Sequence, residues 1–112
     1  MHIIIKEING FMPTTTIKIS EDKIEVEENN NTKRLKYDRN DIRKIMNMFL
    51  DISKGWKSKY INNKAIIDDE IYNIFVVTDS VKEYYIKNEY PSNFSKFILF
   101  RNHLVREELK TI

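Results

Sequence analysis

Apolar residues in the first third of the chain alternate with polar ones. Ile3 and Ile5, then Ile17 and Ile19 in Thr15-Thr16-Ile17-Lys18-Ile19, then Ile24 and Val26 in Lys23-Ile24-Glu25-Val26-Glu27, each repeat at two residues. A period of two sends successive side chains to opposite faces of an extended strand, so these segments predict strands with one face on a core and one in water. Asn9-Gly10 and Pro13 punctuate the first connection, Glu21-Asp22 the second, and Asn29-Asn30-Asn31 a third, after which Leu35 and Tyr37 continue the alternation. On the wet face, Lys18, Lys23, Glu25, Glu27, Arg34 and Lys36 carry both signs and suit cross-strand pairing.

The period changes after Tyr37. Ile42, Ile45, Met46, Phe49 and Ile52 recur at three and four residues, the apolar stripe of a helix over about residues 39–54, with Asp38 as N-cap and Asp41 in its first turn. Gly55 weakens or ends this helix; should it run on, Trp56 and Tyr60 lie four apart on one side. Asn62-Asn63 reads as a loop and Asp68-Asp69-Glu70 as a turn or strand start. Tyr72 to Thr78 is the strongest strand, and its near-continuous apolarity predicts a central position, buried on both sides or crowded. Asp79-Ser80 turns the chain into a partner strand, Val81 to Lys87. Pro91 then breaks the ladder and Ser92 caps a final helix running to about residue 108, with Phe94, Phe97, Ile98, Leu104 and Val105 as its stripe. The order β-β-β-β-α-β-β-α predicts one α+β domain over residues 1–112, an antiparallel sheet of about six strands with two helices packed on one face.

Within residues 42–105 a helix ending in Trp56 and Tyr60 leads to the acidic turn Asp68-Asp69, an aromatic strand with Tyr72, a second strand with Tyr84, and the corner Asn88, Tyr90-Pro91, Asn93, Phe94 before a terminal helix. This pattern resembles a group of small uncharacterised bacterial domains with an Asn-x-x-Pro-x-Asn-aromatic corner. The resemblance implies an architecture and carries no activity. The hairpin position that is usually Asp-Gly in that group is Asp68-Asp69 here.

Composition narrows the chemistry. A chain of 112 residues can hold one ordinary hydrophobic core, and the absence of Cys excludes disulfides, thiol nucleophiles and Zn-thiolate sites. With Gly10 and Gly55 as the only glycines, no GxGxxG, GxxxxGK[ST] or GxSxG motif can be written, so no cofactor is expected. Met1-His2-Ile3-Ile4-Ile5-Lys6-Glu7 lacks the features of a secretory signal, and no apolar run approaches the roughly 18 residues of a membrane span. The expectation is a cytoplasmic protein that does not engage membranes.

Charge is uneven along the chain. Residues 1–32 hold three basic and six acidic side chains, residues 33–64 ten and three, and residues 65–112 six and eight. The basic middle segment is the one compositional hint of an anionic partner. Within it Trp56-Lys57-Ser58-Lys59-Tyr60, flanked by Lys54 and Lys64, interleaves cations with aromatics. Such interleaving suits a protein interface or a nucleic acid, while a purely architectural role has Trp56 and Tyr60 closing the core and the lysines reaching outward. A metal site would need His2, His103 and a carboxylate such as Glu107, and the cluster Asp68-Asp69-Glu70 lacks the spacing of a calcium loop, so neither metal nor catalysis is expected. The leading reading is a non-enzymatic module that binds another protein with an acidic surface, of the immunity or inhibitor kind, through Lys54, Trp56, Lys57, Lys59 and Tyr60. The alternative is a nucleic-acid-binding accessory protein using segment 33–64, and a third is an enzyme built on the acidic turn.

Overall fold

The computed structural model describes residues 1–9, 12–62 and 70–106. The alternating segments form a meander of β1 (His2–Asn9), β2 (Met12–Ile19), β3 (Ile24–Glu28) and β4 (Asn31–Leu35). The β3–β4 hairpin turns on Asn29 and Asn30, whose φ values of 50° and 63° are the left-handed pair that a two-residue loop requires and that Asn tolerates. Asn31 already belongs to β4, opposite Glu28. Between β1 and β2 the register shifts between Glu7 and Asn9, a local break in the ladder near the connection.

The helix α1 (Arg39–Ser53) starts where Asp38 accepts the Asp41 backbone N–H at 2.8 Å, and it buries Ile42, Ile45, Met46, Phe49 and Ile52. Beyond it come β5 (Lys59–Ile61), β6 (Glu70–Val77), β7 (Val81–Lys87) and α2 (Phe94–Arg106). The sheet order is β4-β3-β2-β1-β6-β7-β5, so β4 and β5 are its two edges. Helix α1 therefore carries the chain from one edge to the other. Its 15 residues give roughly 22 Å at 1.5 Å per residue. Six strand spacings make roughly 29 Å, and the flanking links close the gap.

Two expectations need correction. The sheet has seven strands, and it is mixed, because β5 pairs with β7 in parallel. A three-residue strand reached by a crossing helix is too short to show a period. In addition, β6 is central but covered on one side only. Tyr72, Ile74 and Val76 are buried, while Ile71, Phe75 and Val77 alternate onto the opposite face and are half-buried. Both helices pack on the face bearing Ile3, Ile5, Ile17, Ile19, Ile24, Val26, Leu35, Tyr84 and Ile86. Aromatic side chains knit this layer together: Phe49 of α1 meets Phe97 and Phe100 of α2 at 6.2 and 5.8 Å, and Tyr72 of the sheet meets Phe97 edge-on at 5.5 Å.

Candidate functional site

Five side chains singled out from the sequence belong to the strap between α1 and the sheet edge. Gly55 adopts φ +82°, the left-handed conformation that ends a helix, and so α1 does not continue through Trp56. The Trp56 N–H donates to the Ser53 carbonyl at 3.0 Å, which turns the indole inward. There its ring stands edge-on to Phe49, Tyr84 and Phe97 at 6.3, 5.6 and 5.8 Å.

One residue far along the chain locks this turn. Asn93 Oδ1 accepts from Trp56 Nε1 at 2.7 Å, and Asn93 Nδ2 donates to the Ile52 carbonyl at 2.6 Å. Ile52 lies in the last turn of α1, where carbonyls have no partner within the helix. The Asn-x-x-Pro-x-Asn corner thus joins the C-terminus of α1 to the start of α2. It also corrects the expected cap: α2 begins at Phe94, Ser92 is exposed, and the adjacent Asn93 spends its side chain on α1.

After Trp56 the strap continues to the edge. The Lys57 N–H donates to the Tyr60 hydroxyl at 2.9 Å and the Tyr85 N–H to the Ser58 carbonyl at 2.9 Å, which lays β5 against β7. Tyr60 faces the core with its hydroxyl engaged, while Lys54, Lys57 and Lys59 are exposed. The five residues therefore separate. Lys54 and Trp56 line a cleft of about 690 Å³, whereas Lys59 lines a hollow of about 370 Å³ on the uncovered sheet face with Asn73, Phe75 and Tyr85.

The larger cleft has an apolar floor of Leu50, Trp56, Val76 and Tyr84, and a rim of Lys54, Val81, Lys82 and Glu83. Val81, Lys82 and Glu83 were not anticipated. They sit next to Trp56 because β7 is the neighbour of β5, a pairing between segments more than twenty positions apart that no local pattern encodes. The only local signal was Val81 itself, an apolar residue directly after the Asp79-Ser80 turn that remains 62% exposed.

A second polar group lies under α2. Arg101 Nε donates to Glu7 Oε2 at 2.7 Å, with side chains only 16% and 13% exposed, and its second nitrogen donates to Asn102. The Tyr72 hydroxyl donates to Glu70. Burial pushes the Tyr72 hydroxyl far up from its ordinary pKa, reinforced by the bond to Glu70 and by the charge of Glu7. Burial and then the Glu70 charge raise Tyr90 as well. The Arg101–Glu7 pair ties α2 to β1, while the Tyr72–Glu70 bond lies within β6. Of the proposed metal ligands, His2 is exposed on β1 and His103 lies on α2, while Glu107, Asp68 and Asp69 fall outside the described residues. Among the described residues no three His, Cys, Asp or Glu side chains gather as a metal site, and no helix is long and apolar enough to cross a membrane.

No family model, curated protein or solved structure matches the chain. Its geometry is therefore the basis of the functional reading.

Proposed function

We propose that this chain is a cytoplasmic, non-enzymatic protein-binding module of the immunity or inhibitor kind. In this reading it docks on an acidic surface of a bacterial or mobile-element-encoded partner. The observation that supports it is the cleft where Lys54 and Lys82 stand over a floor of Trp56, Tyr84, Val76 and Leu50. An apolar floor whose rim has two lysines to one glutamate accepts an apolar side chain flanked by carboxylates, and the lysines steer the encounter. Lys57 extends the positive charge along the strap, whereas Lys59 turns to the uncovered sheet face and Tyr60 toward the core. Trp56 acts as the floor of the cleft.

The test is a pull-down from native lysate at moderate salt, comparing the wild-type chain with a Lys54→Glu/Lys82→Glu variant and assaying retained protein and nucleic acid. The reading expects one stoichiometric acidic protein that the variant fails to retain. Retention of salt-sensitive nucleic acid alone would replace it with the nucleic-acid reading, because phosphate neutralisation makes affinity fall steeply with salt.

A further inference from the structure

The sheet face opposite the helices carries apolar residues that no core requirement explains. Ile4 lies beside Phe75, and Ile8 beside Ile71, across the β1–β6 ladder. All four are half-buried and lie outside the core cluster. The register continues each row outward. The row through Ile4 and Phe75 has Lys18 on β2 and Glu83 on β7, and the row through Lys6 and Asn73 has Glu27 on β3 and Lys59 on β5.

This order is self-complementary about the line between β1 and β6. A two-fold axis along that line, parallel to the strands, places β1 over β6, β2 over β7 and β3 over β5 of a facing copy, and keeps every row opposite itself. Ile4 then meets Phe75 and Ile8 meets Ile71, each contact occurring twice, as an isologous interface requires. On the outer strands the charges oppose as well, Lys18 facing Glu83 and Glu27 facing Lys59, while in the central rows Lys6 meets the neutral Asn73 amide of the facing copy. Aligned sheets cross at about 30°, and the long Lys and Glu side chains span the few ångströms by which the outer rows shift.

We infer that the uncovered face is a docking surface for a second copy of this chain, forming a two-fold dimer with the β1–β6 ladder at its centre. The inference does not rest on the cleft reading, although Glu83 borders both surfaces. The flat footprint from β3 to β5 is roughly 24 by 20 Å, about 480 Å² per copy, and the pair lies near the lower limit of specific interfaces. An interface of that size belongs to the transient class, so the dimer is reversible.

Within one chain Lys18 and Glu83 are three strands apart, roughly 14 Å, so they do not pair internally. That separation makes a charge swap decisive. Sedimentation velocity of the full chain from roughly 5 to 300 µM should show a monomer–dimer equilibrium. Lys18→Glu and Glu83→Lys should each weaken it by about tenfold, and the double swap should restore it to near the wild-type value. Phe75→Lys should give a monomer, with far-UV circular dichroism confirming the fold. A wild-type chain that stays monomeric throughout, single variants that dimerise as well as wild type, or a double swap no tighter than the single variants would each overturn the inference.

Discussion

Replacing Asn93 by Ala removes the one side chain that joins the end of α1, the indole of Trp56 and the start of α2. Two hydrogen bonds disappear, at 2.7 and 2.6 Å, and both surviving partners are partly buried. A neutral hydrogen bond contributes about 1 kcal/mol net, and a stranded donor or acceptor costs about a further 1 kcal/mol at the low end, the value suited to partial burial. The expected loss is therefore about 4 kcal/mol, or a Tm lower by roughly 17 °C for a domain of this size. Trp56 is the sole tryptophan, so its fluorescence during urea unfolding reports both the local release and the global transition. Ser92→Ala is the control, since an exposed serine that caps nothing should shift stability by less than about 0.5 kcal/mol. Equal losses for the two variants, or an Asn93→Ala midpoint indistinguishable from wild type, would refute the reasoning.

Gly55→Ala meets no steric obstacle, since nothing lies within 4 Å of an added Cβ, and its expected cost of about 1 kcal/mol comes entirely from the left-handed φ; denaturant titration checks it. Arg101→Ala strands Glu7 in a mostly buried position and should cost about 2 to 3 kcal/mol in the same assay, less than a fully buried pair because both side chains keep some exposure. Burial raises the Tyr72 hydroxyl above the ordinary tyrosine pKa of 10.0, so its contribution is fully present below pH 10 and is lost as pH rises further, when the unfolded chain ionises this tyrosine and the folded one does not. Circular dichroism between pH 8 and 11.5 should show alkaline destabilisation that is blunted in Tyr72→Phe; an unchanged alkaline transition in that variant would contradict the assignment.

What the sequence reveals about this fold follows from how local each determinant is. The two-residue alternation at Ile3 and Ile5, Ile17 and Ile19, and Ile24 and Val26 is a property of a single strand, and all six residues are buried on one face. The α1 stripe and its Asp38 cap are equally local, as is the turn at Asn29 and Asn30. By contrast, β5 exists only because a crossing helix delivers Lys59–Ile61 beside β7, and its residues alone resemble any polar loop. The run of apolar residues in β6 suggested burial on both sides because periodicity cannot distinguish a second protein layer within the chain from a surface that the chain leaves open. Asn93 was read only as part of a local corner before the last helix, whereas its partners lie about forty residues upstream. The candidate site divided for the same reason. Lys54 and Trp56 share a cleft through local turn geometry, but Val81 and Lys82 join them through strand order, and Lys59 points away because β5 alternates.

The proposal that the cleft binds a partner is tested most directly by a photocrosslinking amino acid placed in turn at Val81 and Leu99. These residues are equally exposed, both 62%, but only Val81 lines the cleft. The account predicts a discrete protein adduct from position 81 in cells, its loss when Lys54→Glu and Lys82→Glu are added, and none from position 99. An adduct at position 81 that survives both charge reversals, or no discrete adduct there at all, would contradict it.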